Sequence, residues 1–316
     1  MKRIIDFLIT FSLLFTVSCT AQKSKPVEPI KYIDTGVDYN AWVTIPQGEF
    51  LKGQHRHVVN IKEPYQIMIT DVTNAQYAKF LNEALDSGAI KIAADTVCGY
   101  YKGDPFDGWK HEFKIGPGDK LYLRINEPGI RLKYDGKRFS VVKGYENHPA
   151  TFITWFGANA YAKFYGWSLP SENQWEKAAR GTDGRTYPWG EDISGNVANY
   201  LSSHTLFEKI FHKQITTTPV GFFNGKTYDG YETRDNRSPY GLYDMAGNVW
   251  QWCGDDYPDV HYRYMRGGSR NNYEYNLFTW ARNSAGPEYY SMYIGFRCVR
   301  ELEVVQEEVI EEIIKK

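Results

Sequence analysis

Cysteine is scarce in this 316-residue sequence, and its four cysteines are widely separated. They form no Cys-x-x-Cys pair, and the seven histidines never take a His-x-x-x-His spacing, so the sequence lacks the usual zinc patterns. No cysteine lies between Cys253 and Cys298. We expect Cys98, Cys253 and Cys298 to be small buried hydrophobic residues or, in an oxidising compartment, to form one disulfide whose pairing the sequence does not decide.

An excess of charge of one sign is absent as well. Lys and Arg total 37 against 38 Asp and Glu, and no long basic run occurs, so we expect no nucleic-acid partner. Large rings are abundant instead. The 25 Tyr and 9 Trp beside 28 Gly predict a loop-rich globular fold in which aromatic side chains provide much of the packing.

A long apolar run occurs at the N-terminus, after Lys2 and Arg3. This run, residues 4–17, is too short to span a bilayer in a mature protein, and its order of charged, apolar and small residues is typical of a cleaved targeting segment. Thr16-Val-Ser-Cys19 resembles a bacterial lipobox. Residues 1–18 are therefore predicted to be a lipoprotein signal peptide. The alternative is an ordinary secretory signal with an incidental cysteine.

Lipidation of Cys19 would attach the protein to a membrane. Each buried methylene of an acyl chain contributes about 0.8 kcal/mol, so diacylglycerol and palmitate chains together hold a domain on a membrane surface. Residues 19–40, which begin with a stretch rich in Lys, Ser and Pro, are predicted to be the lipidated cysteine and a tether. The expected location is the bacterial cell envelope, facing the periplasm or the cell surface.

Two capping boxes, Thr73 with Gln76 and Ser171 with Gln174, each predict the start of a helix. Gly181 lies where the second of these helices would end. Between the two helices, residues 87–145 are rich in Gly, Lys and Asp with several turn signals, and we interpret them as an insertion. It could shape a partner surface or be a decorative hairpin.

Several ordered motifs identify a family. Gly241-Leu-Tyr-Asp-Met-Ala-Gly-Asn-Val-Trp-Gln-Trp252, Arg266-Gly-Gly-Ser269 and Gly295-Phe-Arg-Cys298 resemble the C-terminal core of the formylglycine-generating enzymes, or sulfatase-modifying factors. Leu169-Pro-Ser-Glu-Asn-Gln-Trp-Glu-Lys-Ala-Ala-Arg-Gly181 and Tyr187-Pro-Trp-Gly190 also match. The resemblance covers residues 41–300. It implies an α+β fold, the loop-rich sulfatase-modifying-factor variant of the C-type lectin-like fold.

The resemblance also implies calcium sites. One family site falls here on two side chains and two backbone carbonyls, namely Asp244, Gly247, Val249 and Gln251. Gln251 offers a neutral amide oxygen where the family usually has Glu, so a weaker or empty site is expected. A second family site would use Asn199 and the Tyr200 carbonyl, but its acidic ligands are not recognisable in residues 206–220.

Copper is not expected. The family's oxidases hold copper with two cysteines, which suit the soft copper(I) ion, and those positions are Asn272 and Leu277 in this chain. The surrounding pocket of the family falls on Trp250, Ser269 and Arg282. Each of these has a structural alternative, respectively in core packing, in a Gly-Gly-Ser turn and in bracing a loop.

Two surface segments are further candidates for contact with partners. Glu288, Tyr289 and Tyr290 lie where related binding proteins display variable contacts. The acidic tail, residues 301–316, has apolar residues at helical spacing and is predicted to be an amphipathic helix that docks on its own domain or on a partner.

Together these features predict an envelope lipoprotein, without oxidase activity, that acts as a binding or assembly scaffold for a protein partner in the cell envelope. One alternative is an enzyme, either a sulfatase-maturing oxidase or another oxygen-dependent oxidase using the same pocket. The other is lectin-like binding of a glycan or peptide.

Overall fold

A computed structural model describes residues 27–104, 115–256 and 262–302. The predicted signal peptide, Cys19 and all but the first two residues of the predicted tail lie outside these ranges. Short strands and few helices alternate along the described chain. The helices are α1 (Asn74–Asp86), α2 (Trp155–Phe164), α3 (Glu172–Arg180) and α4 (His204–Lys209), with a 3-10 helix at Glu274–Leu277. The strands are β1 (Trp42–Ile45), β2 (Gly48–Lys52), β3 (His57–Ile61), β4 (Tyr65–Met68), β5 (Ile90–Ala93), β6 (Thr96–Tyr101), β7 (Gly118–Arg124), β8 (Leu132–Tyr134), β9 (Phe139–Val141), β10 (Thr227–Tyr228), β11 (Tyr231–Glu232), β12 (Trp250–Asp256), β13 (Arg263–Arg266), β14 (Arg282–Ala285), β15 (Ile294–Gly295) and β16 (Val299–Glu301).

Both predicted capping boxes are confirmed. The Thr73 hydroxyl accepts from the backbone N–H of Gln76, whose side chain accepts from the Thr73 N–H in return. Ser171 and Gln174 form the same reciprocal pair at the start of α3. These bonds satisfy N–H groups that the first turn of a helix leaves without partners. Gly181 ends α3 at φ +69°, a conformation that favours glycine.

The strands form several small sheets. The largest has the order β14-β13-β12-β15, with β12 parallel to β15 and antiparallel to β13. A second sheet places β4 between β1 and β16, so the beginning and end of the domain meet on one strand. The helices α1 and α2 pack over the main core, where rings of Tyr77, Phe80 and Tyr161 contact one another at 5.3–5.9 Å between centroids.

The segment 87–145 contributes to this main core. Val97 of β6 and Leu123 of β7 are fully buried in the main core. Leu132 and Phe139, from the β8–β9 hairpin, are almost fully buried there. Asn82 of α1 also holds Phe139 through two bonds between its side-chain amide and the Phe139 backbone. A decorative hairpin does not describe this packing. That the segment is an insertion relative to the family stays a prediction.

The domain begins before the predicted boundary at residue 41. Ile30 donates its N–H to the Lys143 carbonyl at 3.1 Å, and the hydroxyl of buried Thr35 donates to the Val220 carbonyl at 3.0 Å. The described part of the predicted tether is therefore bound along the domain. None of the described helices is long and apolar enough to cross a membrane.

The three cysteines that the structure describes are free thiols, so no disulfide joins them. Cys253 and Cys298 are fully buried, and burial raises the pKa of both thiols well above its usual value. Cys98 is half-buried. Of the two expectations for these residues, small buried hydrophobic side chains describe Cys253 and Cys298.

Candidate functional site

The loop after β13 contains Asn272, the predicted position of the first family cysteine. Its turn requires glycine, because a Cβ on Gly268, at φ +70°, would lie 2.7 Å from the Asn276 carbonyl oxygen. Beyond this turn, the amide oxygen of Asn272 accepts from the Ser269 N–H at 3.0 Å and from the Ser269 hydroxyl at 2.7 Å. Ser269 thus caps a closed turn, and the one acceptor of the Asn272 side chain is occupied within it.

Leu277, the predicted position of the second family cysteine, is fully buried in a small apolar cluster with Tyr187 and Tyr200. It offers no atom that binds a metal. Between the two positions, Tyr273 and Tyr275 point outward, 53% and 56% exposed, with their rings stacked 5.9 Å apart. The residues present therefore do not fit copper(I), which needs soft sulfur ligands. An exposed aromatic pair thus lies between the two positions at which the resemblance predicts the family's thiols.

The other predicted pocket residues belong to one sheet and the loop beside it, since Trp250 is on β12, Arg282 is on β14, and both strands flank β13. Trp250 is 5% exposed in the main core. Arg282 stacks over the Tyr264 ring, 5.1 Å from its centroid, and lies 3.4 Å from a Glu172 carboxylate oxygen. Of the predicted contact residues, Glu288 and Tyr289 are exposed, and the half-buried Tyr290 donates its hydroxyl to Glu127.

The residues of the first calcium prediction lie together, but most of their oxygen atoms are engaged. The Gln251 amide oxygen accepts from Trp175 Nε1 at 2.7 Å and from Arg297 Nε at 2.8 Å, so it faces two donors rather than a cation. The Asp244 carboxylate accepts from the Gly221 N–H at 2.6 Å. The Gly247 carbonyl accepts from the N–H of Val249 at 2.8 Å. As arranged, these residues do not fit calcium, which takes six to eight oxygen ligands.

At the first predicted calcium site, the Arg297 guanidinium supplies the positive charge. Arg297 is fully buried and, besides Gln251, donates to the Met68 and Tyr243 carbonyls and lies 3.3 Å from Asp71. Burial raises the pKa of Asp71 to about 8, and the Arg297 charge offsets only part of that effect.

The second calcium prediction has one free ligand atom. The Asn199 amide oxygen is buried without a partner among the described residues, which is the kind of atom that a cation could take. The Tyr200 carbonyl, however, accepts from the Ser203 N–H at 3.0 Å. One free oxygen is far fewer than calcium needs. The described groups of His, Cys, Asp and Glu also contain no cluster that could hold a metal.

Sequence reasoning missed a buried cluster of paired charges. Arg266 donates to Glu172 at 2.7 Å and to Glu176 at 2.5 Å, and Glu176 also accepts from Arg180 at 2.8 Å. All four side chains are at least 94% buried, and we call them the paired cluster. Glu172, Glu176 and Arg180 recur every four residues along α3, a spacing that places them on one face and could have indicated the cluster.

Comparisons with known proteins agree with this architecture. Residues 31–302 match the sulfatase-modifying factor enzyme 1-like domain, so the chain belongs to that family. It is 29% identical to the formylglycine-generating enzyme of Streptomyces coelicolor over 83% of this chain and 90% of the enzyme. It is 32% identical to the inactive C-alpha-formylglycine-generating enzyme 2 of Bos taurus, over 80% of this chain and 82% of that protein. The predicted family is thereby confirmed.

Two further similarities differ in extent. The chain is 33% identical to the serine/threonine-protein kinase Pkn1 of Chlamydia trachomatis over 54% of its own length, which is only 27% of the kinase. The solved structure of PvdO from Pseudomonas aeruginosa superposes with a TM-score of 0.52 at 19% identity, covering 83% of this chain and 94% of PvdO. This likeness concerns the fold. The predicted α+β fold of the sulfatase-modifying-factor type is confirmed.

Proposed function

We propose that this protein is a binding or assembly scaffold of the bacterial cell envelope, anchored through Cys19 and without formylglycine-generating activity. The observation that carries the proposal is the absence of cysteine from residues 254–297. The resemblance predicts both family thiols in this region, at the positions of Asn272 and Leu277. Cys253 and Cys298 do not replace them, because both are fully buried and their raised pKa disfavours the reactive thiolate.

A relative supports the same conclusion. The Bos taurus protein, similar over four-fifths of this chain, is named as an inactive member of the family. The family fold is therefore compatible with a role other than oxidation of cysteine, as folds in general are compatible with several functions.

A peptide assay tests the loss of oxidase activity. The purified protein is incubated with copper, oxygen, a reductant and a peptide that contains a Cys-x-Pro-x-Arg motif, and the peptide is then weighed by mass spectrometry. The Streptomyces coelicolor enzyme serves as the positive control. We expect the peptide cysteine to remain unchanged in the presence of this protein. Its conversion to an aldehyde would overturn the proposal.

The exposed tyrosine pair is the contact surface that we propose for a protein partner. Tyrosines provide large, rigid and amphipathic contact areas, and they are enriched at protein interfaces. The rings of Tyr273 and Tyr275 are already stacked on each other, so little side-chain entropy would be lost on binding.

Site-specific crosslinking tests this surface in cells. A photoreactive phenylalanine at position 273 is compared with one at position 100, because Tyr100 is also exposed, at 68%, but lies on β6. We expect a discrete protein adduct from position 273 and none of the same mass from position 100. Equal adducts from both positions, or none from position 273, would contradict the proposed surface.

Labelling with palmitate tests the anchor. Incorporation into the wild-type protein and its loss in the Cys19→Ala variant are expected, together with release of the variant from membranes. An unlabelled wild-type protein would favour the ordinary secretory signal.

A further inference from the structure

Arg131 and Arg270, which we call the unpaired arginines, form a second buried group of cations. Arg131 precedes β8 and Arg270 follows the glycine turn after β13, but the two lie close enough for their charges to act on each other and on His148. Their side chains are deeply buried, since the two residues are 6% and 1% exposed. Neither forms an ion pair with a carboxylate of the described residues.

Neutral groups surround the two guanidinium groups. The Arg131 guanidinium lies over the Tyr145 ring, with its central carbon 4.7 Å from the ring centroid, and donates to the Thr216 hydroxyl at 2.9 Å. Arg270 lies over the Tyr293 ring at 4.6 Å and donates to the Met292 carbonyl at 2.6 Å. These contacts satisfy some of the donors but bring no negative charge.

The neighbouring titratable groups bring no negative charge to the two arginines either. Burial and the nearby Arg131 cation lower the pKa of Arg270 to about 9, which leaves it protonated at pH 7. The His148 ring packs edge-on against the Tyr145 ring, 4.9 Å between ring centroids, and burial with both arginines keeps the His148 pKa well below its usual value. At neutral pH the site therefore carries two positive charges and a neutral imidazole.

Three guanidinium donors have no acceptor. Nε of Arg131, and Nε and Nη2 of Arg270, are buried and lack a hydrogen-bond partner in the described protein. A buried donor without a partner costs about 1–3 kcal/mol, and more when it is charged. Water could satisfy the donors but would leave the charge, whereas an anion satisfies both.

We propose that a small inorganic anion of the chloride class binds between Arg131 and Arg270 and neutralises this buried site. The near-complete burial of both side chains favours a small ion over a large carboxylate or phosphate ester. Thr216 lies within hydrogen-bond distance of Arg131 and can rotate its hydroxyl toward the ion.

Chemical denaturation tests the proposal with chloride as the probe. Chloride replaces gluconate at constant ionic strength, because gluconate is too large for an enclosed site. A ligand that binds the folded state alone raises stability with the logarithm of its concentration. We expect the midpoint of the wild-type protein to rise in this way, and the rise to vanish in Arg270→Met. The surface variant Arg138→Gln, which also removes one positive charge, should keep it.

Bromide gives a direct readout that needs no variant. In crystals grown in bromide, an anomalous peak is expected within hydrogen-bond distance of Arg270 Nε or Nη2. A wild-type midpoint that does not respond to chloride, or an arginine pair with no bromide peak beside it, would overturn the proposal.

Discussion

Arg266 and Arg270 lie four positions apart, one on each side of the same glycine turn, and both are 1% exposed. Arg266 contacts two carboxylates of α3, whereas Arg270 contacts a carbonyl and a ring. Residue type and burial are therefore the same, and only the counter-charge differs. A buried charge persists when it is paired, so the first arginine is complete within the chain and the second calls for a partner from outside it.

The largest expected effect breaks the paired cluster. Glu176→Gln removes the carboxylate that Arg180 and Arg266 share. The buried Arg266 then contacts the Glu172 carboxylate alone, and the two guanidinium charges exceed the remaining negative charge of the cluster. Loss of one partner of a buried ion pair costs about 3–5 kcal/mol, which denaturant unfolding would measure. Asp86→Asn is the matched control, because Asp86 pairs with Arg138 at 2.7 Å in an exposed position and should change stability little. Equal losses in both variants would contradict the assignment.

A smaller effect is expected at the unpaired arginines. In chloride-free buffer, Arg270→Met leaves the Met292 carbonyl without its donor, which costs about 1–3 kcal/mol. Removal of an uncompensated charge with two unpartnered donors offsets part of that loss. The equivalent Arg266→Met strands two carboxylates and should be the more destabilising of the two. Unfolding free energies measured side by side compare them. If Arg270→Met were the more damaging, the contrast between the two arginines would be wrong.

The pH dependence of stability can sharpen the comparison through His148. Unfolded, His148 takes up a proton near its ordinary pKa of 6.5, but its lowered pKa keeps it neutral when folded. The unfolded state thus binds more protons, so stability falls as pH drops below 6.5, by up to about 1.4 kcal/mol per pH unit. His148→Gln should remove this component from denaturation curves recorded across that range. Chloride should weaken it in the wild type, because a nearby anion favours the charged imidazole. If the unfolding free energy changed with pH by the same amount in the wild type and in His148→Gln, a contribution of His148 would be contradicted.

The smallest effect is expected at Arg297, where a cation is already built into the chain. Because its guanidinium binds Gln251, we expect removal of calcium with a chelator to leave the thermal midpoint unchanged. Calorimetry with and without added calcium measures this. A clear fall in the midpoint on chelation would instead support the calcium prediction, and Asn199→Ala would then test whether its free amide oxygen is a ligand.

Local signals predicted the starts of α1 and α3 well, whereas α4 was not predicted. Thr73 and Ser171 with their partners three residues later determine where α1 and α3 begin, and those interactions lie within one turn of chain. The family motifs likewise predicted the fold. The spacing of the charges on α3 was a local signal, but their partner Arg266 was not predictable in this way, since it meets Glu172 across 94 positions. The tether prediction for residues 19–40 did not foresee the contacts of Ile30 and Thr35, because their partners Lys143 and Val220 are equally remote.

If Cys19 is lipidated as proposed, the bound N-terminal segment limits how far the domain can move from the membrane. Its first described hydrogen bond is at Ile30, about eleven residues after the proposed lipidated Cys19. A fully extended chain spans at most about 3.6 Å per residue, so the reach is about 40 Å. Confinement within such a radius gives short-tethered molecules effective concentrations in the millimolar range. A partner on the same membrane that binds only weakly could then be occupied for much of the time, provided that its binding surface lies within this reach of the membrane.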